Sequence, residues 1–230
     1  MPFQKTVNTT PAPAVDGDFA SVNPMSSVVA PESGFVAGAG GVTVGRFAWI
    51  SADGKTLLNT GAGKPDGFIP RLQSAQIGTY LAEFGNNIPA GFPVDLMRTG
   101  DFYSKSTVAA ATKGDKAFAK FQNGTMQPDT AAATIAGASV TASVATNVLT
   151  VTAVGSGAIL VGSLLSGASI PPASYIAAQL TGTAGGVGTY SLSTTPGTVV
   201  SATVTTTDYV ETDFVIGRTV LVNELTVMSK

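Results

Sequence analysis

One stretch constrains this chain more than any other. Residues 130–207, 78 consecutive positions, contain no Asp, Glu, Lys or Arg, and every charged side chain lies outside them. Within the stretch, ATNVLTVTAV, GAILVGSLL, SYIAAQL, GTYSLS and TVVSATVTTT are β-rich segments punctuated by Gly, Pro and Ser at strand-and-loop intervals. Thr and Val suit a pleated, half-buried surface. The most apolar part, AILVGSLLSGASIPPASYI (158–176), has about the length of a membrane span. Pro171-Pro172 and abundant Gly and Ser make it a poor helix, however, and no Lys or Arg flanks it. Residues 129–207 are therefore expected to form an uncharged, β-sandwich-like module inserted at a loop of a host domain.

The host is expected to comprise residues 34–128 and 208–230. GGVTVGRFAWIS (40–51) alternates, with Val42, Val44, Phe47 and Trp49 as apolar marks. Asp53-Gly54 and Asn123-Gly124 are hairpin-turn dipeptides. FIPRLQSAQIGTYLAEFG (68–85) reads as mostly strand and loop, and DYVETDFVIGRTVLVNELTVMSK (208–230) supplies one or two closing strands. The fold class is all-β: a small antiparallel β-barrel or jelly-roll-like base carrying the inserted module.

Residues 1–33 read as an extended N-terminal arm. Pro11, Pro13, Pro24 and Pro31 fix φ and remove amide donors, and residues preceding proline are pushed toward extended conformations. Asp16-Gly17-Asp18 has the composition of a turn. Phe3, Val7, Val15, Phe19, Val22 and Met25 make the arm more apolar than a linker needs. With Arg71 and Arg98 from the base, they are the expected partner-contacting residues.

Composition removes several classes of chemistry. With neither Cys nor His, the chain has no disulfides, thiolate metal sites, Ser-His-Asp triads or imidazole base. A net charge of −2 and a pI near 5.0 do not suit a nucleic-acid binder. Tyr80, Phe102, Tyr103 and Phe121 lie near Lys105, Lys120 and the two arginines, which fits a core with a rim or a protein interface. No apolar run follows Lys5, so no secretory signal is expected. The glycine-rich runs GAGGVTVG (38–45) and TAGGVGTY (183–190) lack the helix that a dinucleotide loop requires, and ADGKT (52–56) reads as a hairpin tip. Asp16 with Asp18, or Asp208 with Glu211 and Asp213, offer oxygen ligands without the spacing of a calcium loop. No catalytic, cofactor or metal residues are assigned.

VNTTPAPAVDGDFASVNP (7–24), VAGAGGVTVGRFAWI (36–50) and KGDKAFAKFQNGTM (113–126) together resemble the structural cement proteins that decorate capsids of tailed bacteriophages. The resemblance covers about 1–126 and 208–230. The uncharged stretch is similar to a different module, widespread in phage tail and virion proteins. LTVTAVGSGAILVGSLLSG and IAAQLTGTAGGVGTYSLS carry that likeness, with Gly182, Gly185, Gly186, Gly188 and Tyr190 as its marks. The resemblance implies a non-enzymatic virion protein, assembled in the host cytoplasm and placed on the outer capsid surface. There it would bridge adjacent major capsid proteins, as a homo-dimer or homo-trimer at capsomer junctions, and resist internal DNA pressure. Host-surface glycans are an expected partner of the insert, and nucleic acid and membrane are not. A tail or fibre component whose insert binds receptor is the alternative.

Overall fold

The computed structural model describes residues 14–72, 86–131, 135–167 and 169–230. Phe3 and Val7, and the part of the 68–85 segment from residue 73 onward, lie outside them. Among the described residues there is no helix, and the fold is all-β. In chain order the short strands of the first part are β1 (Ser26–Ser27), β2 (Val36–Ala37), β3 (Val42–Thr43), β4 (Phe47–Ile50), β5 (Thr56–Leu58), β6 (Gly67–Phe68), β7 (Asn87–Ile88) and β8 (Met97–Thr99). Longer strands follow: β9 (Asp101–Lys105), β10 (Lys116–Lys120), β11 (Met126–Asp129), β12 (Ala136–Ala145), β13 (Val148–Ser156) and β14 (Leu164–Ser166). The chain ends with β15 (Ile176–Gly182), β16 (Gly188–Leu192), β17 (Val199–Thr207), β18 (Tyr209–Ile216) and β19 (Leu225–Ser229).

The base is made of two larger sheets and the two-stranded antiparallel pair β3-β7. Of the larger sheets, one runs β1-β8-β6-β4-β5-β2, closed at its end by a parallel pairing of β2 with β5, and the other runs β11-β10-β18-β19-β9. The first sheet is buried on both faces, and alternation along β4 shows why. Phe47 and Trp49 project into an aromatic core shared with the second sheet, whereas Ala48 and Ile50 join an aliphatic core on the opposite face with Val28, Phe35, Leu57, Ile69 and Leu96. In the aromatic core Phe19, Phe102, Phe68, Phe47 and Phe214 follow one another in tilted and edge-on contacts, with ring centroids 5.1–6.4 Å apart. In β18, Thr212, Phe214 and Ile216 face this core while Glu211 and Asp213 face outward, a clean period of two.

Turn chemistry fixes the packing. Asp53-Gly54 closes the β4–β5 hairpin, where Ser51 N donates to Thr56 O, so ADGKT is a hairpin tip. Asn123-Gly124 closes β10–β11. Gly124 has φ +66°, accepts a bond from Phe47 N at 2.8 Å, and sits so close that a Cβ there would lie 2.1 Å from Phe47 O. Only glycine lets this hairpin tip rest on β4.

Strands β12–β17 form a separate sheet with its own core. The order is β14-β17-β12-β13-β16-β15, all antiparallel. Ala138, Val140, Ala142 and Val144 of β12 point inward with Leu149, Val151, Ile176, Tyr190, Leu192 and Val204. Thr141, Thr150, Thr152, Thr203 and Thr205 point outward. Its two edges meet: Leu165 N donates to Ser174 O at 2.8 Å and Ile176 N to Ser163 O at 3.0 Å, with Leu164 bridged to Tyr175. One sheet thus curls into a small barrel, where the uncharged composition suggested a sandwich of two. The expected five segments become six strands. The long β12 was not foreseen, and most of GAILVGSLL is loop leading to the three residues of β14.

The junction between barrel and base is a buried polar chain. The Ser163 hydroxyl donates to the Asp208 carboxylate, and the Gln122 amide donates to Ser163 Oγ at 3.1 Å. Phe121 N donates to Asp208 O at 3.0 Å, tying β10's end to the first residue after the uncharged stretch. From there β18 enters the base sheet between β10 and β19.

Candidate functional site

Among the described residues, the surface that stands out is built by residues 14–31. Asp16 and Gly17 turn the chain, with Gly17 at φ +92° and Asp18 N donating to Val15 O. The strap then lies extended along the edge of β9. Gly17 N donates to Tyr103 O, Tyr103 N to Asp18 O and Ala20 N to Asp101 O, each at 2.8 Å. Farther on, Ser26 and Ser27 pair with β8, and Val28 N donates to Leu96 O. The described part of the arm is therefore bound to its own chain.

Side chains fasten it further. Phe19 packs on Phe102 with ring centroids 5.4 Å apart, continuing the aromatic chain of the core. Arg71 Nη1 reaches Asp18 Oδ1 at 3.2 Å. Asp101 gathers both strap and sheet: Ser21 Oγ and Asn23 Nδ2 donate to one oxygen at 2.5 and 2.6 Å, and Ser229 Oγ to the other at 2.5 Å. The hydroxyls of Ser21 and Ser229, with the Asn23 amide, hold its carboxyl below the usual aspartate range. Asp16 is the opposite case. Burial pushes its carboxyl up to about 6, against the Lys105 amide, the Lys105 charge, Ser104 and Arg46, all of which favour the anion.

With its inner side so fastened, the strap exposes an apolar row. Val22 is 99% exposed, Val29 92% and Met25 46%, and Val15 is also exposed. Beside Val29, a hollow of about 230 Å³ is lined by Val28, Phe35, Pro93 and Val94. A second apolar patch lies on the loops 106–111 and 218–224. Asn223 N donates to Ser106 O to join them, and they expose Val108, Leu221 and Val222. Contiguous exposed apolar patches are a feature that interaction surfaces share, whereas single exposed apolar residues are ordinary.

The residues expected to contact a partner thus divide. Val15, Val22 and Met25 face outward, Phe19 and Arg71 are engaged within the chain, and Arg98 is exposed beside Lys64, Asp66, Asp213 and Lys230. Asp101 went unnoticed because a lone Asp in a strand carries no pattern until Ser21, Asn23 and Ser229 converge on it. The acidic groups considered for a cation are occupied otherwise. Asp213 takes Lys64 and Lys230 as partners, and Asp208 takes Ser163. Among the described residues no group of three or more acidic side chains is placed to hold a metal ion, and no helix is long and apolar enough to cross a membrane.

Residues 3–164 match the XM1 gp53 minor capsid protein family. The chain belongs to that family. Its members are phage structural capsid proteins, and the chain is accordingly a virion component. The match takes in the strap, the first base sheet, β9–β11 and the first two strands of the barrel, ending at Leu164 where β14 begins. No curated protein matches the chain.

Proposed function

We propose that this minor capsid protein decorates the outer surface of the phage shell and cements it by bridging adjacent major capsid proteins. Membership of a minor capsid family supports the capsid as its partner. The apolar row Val22, Met25 and Val29 on a fastened strap carries the further step to a docking face. A strap already ordered on its own base loses little conformational entropy on docking, where a loose arm would lose about 1–2 kcal/mol per residue. Burial of its valines then contributes at about 25 cal/mol per Å² of apolar surface. Copies of the chain joined at capsomer junctions would bind through several such contacts at once, multiplying affinity through effective concentration. Because cement binds assembled shell better than loose subunits, it stabilises the shell by mass action against internal DNA pressure.

The test is co-sedimentation of the chain with expanded empty shells of its phage. The double substitution Val22→Asp with Val29→Asp should weaken shell binding at least tenfold, about 1.4 kcal/mol, while leaving the melting temperature unchanged. Unaltered affinity, or no sedimentation of the native chain with shells, would remove the reading.

A further inference from the structure

The second apolar patch, on loops 106–111 and 218–224, takes no part in the strap's docking face. The strap row sits beside Asp101, at one end of β9, and the patch begins at Ser106, just past the other end, about 16 Å along the strand. Its loops are held in place. Val220 and Ala111 exchange both backbone bonds, at 2.9 and 3.1 Å, and Asn223 N donates to Ser106 O at 2.9 Å. Thr226 Oγ1 donates to Arg218 O at 2.6 Å. The tip is also closed within itself: Leu221 N donates to Glu224 Oε2 at 3.0 Å, and Glu224 N to Leu221 O at 3.2 Å. A fastened backbone therefore displays Leu221, 70% exposed, and Val108, 64% exposed. Against the 218–224 loop lies a hollow of about 420 Å³, with Ala14, Tyr103, Val220 and Leu225 in its wall.

Charge decides what fits this patch. Arg218 and Glu224 are both exposed and both line the hollow, and Leu221 stands three positions from each. Among the described residues, neither takes part in an ion pair. A cation and an anion flanking an apolar centre repel a uniformly charged partner on one side as much as they attract it on the other. The matching partner carries the same charges in reverse order. A second copy turned about a two-fold axis through Leu221 does so, because in such a contact residue i meets j and j meets i. Arg218 of each copy then faces Glu224 of the other, and the apolar centre meets itself over the hollow. We propose that the chain forms a two-fold dimer through loop 218–224, with the two Leu221 side chains at its centre and two Arg218–Glu224 pairs at its rim. This deepens the cementing reading, which needs joined copies. The experiment uses no shells, so the two can fail separately.

The test is sedimentation velocity of the full-length chain at about 1–100 μM. The native chain should shift with concentration from 23.0 kDa to twice that mass. Leu221→Asp, at an exposed position, should weaken association about tenfold or more with an unchanged melting temperature. Arg218→Glu and Glu224→Lys should each do the same, because each sets like charges opposite one another at both rim contacts. Mixing these two variants restores both pairs, so the mixture should associate at least about tenfold more tightly than either variant alone. Glu224→Lys also gives up the bond that closes the loop tip. If it melts early, Arg218→Glu and Leu221→Asp carry the test alone, since neither side chain is paired within the described chain. A native chain that stays monomeric at about 100 μM would overturn the proposal. So would a trimer, a dimer that survives Leu221→Asp or Arg218→Glu, or two well-folded charge variants that fail to rescue each other.

Discussion

The base and the barrel solve the same problem, holding β-strands together, by opposite means. The base has open edges, and it covers them with charge and with chain. Asp101 ties strap to sheet, Asp18 pairs with Arg71, and Asp213 on the outer face of β18 gathers Lys64 and Lys230. The barrel has no charged residue to spend. Its edges meet at Ser163–Leu165 and Ser174–Ile176, and beyond that corner Gln179 takes over. Gln179 donates to the carbonyls of Thr181 and Thr183 and accepts from Gly185 N. Exposed edges are where strands from other molecules add, and charge is the usual guard. A sheet that closes on itself needs fewer guards. That is a physical reason why 78 residues without charge can be tolerated in one place and nowhere else in this chain.

If the two regions are separate in energy as well as in sheet, their largest perturbations should not mix. Phe102 touches Phe19, Phe68 and Phe214 and is fully buried. Phe102→Ala should cost about 3–5 kcal/mol, all of it in the base. Calorimetry should show the base transition moving down sharply and the barrel transition holding its temperature. A single transition moving as a whole would break the comparison and make the molecule one cooperative unit. Replacing residues 130–207 by a short Gly-Ser bridge asks the same question from the other side. The base should still fold and still sediment with shells.

The junction gives the next smaller effect. Asp208→Ala leaves the Ser163 hydroxyl and the groups behind it without their acceptor, at a cost of about 1–3 kcal/mol. Because Asp208 belongs to both regions, this substitution should lower both transitions, unlike Phe102→Ala. A loss confined to the base would show that Ser163 finds another partner and that the polar chain does not couple the two.

Much of this was legible in the sequence, and the reasons are local. Asp53-Gly54 and Asn123-Gly124 specify hairpins because positive φ is a property of the dipeptide itself. Alternation in DYVETDFVI marks β18 because one of its faces is buried. Three things were not legible. Barrel closure depends on Ser174 meeting Leu165, a pairing with no sequence signature, so Thr- and Val-rich segments fit a sandwich equally well. The strap's inner side was hidden because Phe19 looks like any apolar arm residue until Phe102 lies beneath it. The junction needs Gln122, Ser163 and Asp208, distant in sequence, brought together by the fold. Proline in the arm suggests extension, and the described residues 17–28 lie along β9 and β8, but extension alone does not say against what the chain lies.

The smallest expected effect is the sharpest test of the contrast, because it concerns a charge the barrel cannot have. Docked, Asp16 has its carboxyl raised to about 6 by burial, and detached it returns to the ordinary 3.8. The docked strap therefore holds the proton more tightly. Its attachment is strongest below about pH 4, weakens as pH rises through about 6, and is constant above. Lys105 and Arg46, which face the carboxylate, reduce this penalty without removing it. Asp16→Asn keeps an acceptor for the Lys105 amide and removes the charge, so at neutral pH it should tighten the strap by about 1–2 kcal/mol. Asp101 acts in the opposite sense. Its carboxyl is lowered, so its contribution is lost only as pH falls below the usual aspartate range, and a window of about pH 4.5–7.5 isolates Asp16. Hydrogen-exchange protection at the amides of Gly17, Ala20 and Tyr103 should fall with rising pH in the native chain and stay level in the Asn variant. Leu192 and Ser193, whose amides donate to the carbonyls of Asn147 and Tyr175 within the barrel, are the built-in control, since neither they nor those partners carry a carboxylate. Protection that falls equally in strap and barrel would mean that the pH dependence is global, and that the strap is not fastened as an element distinct from the rest.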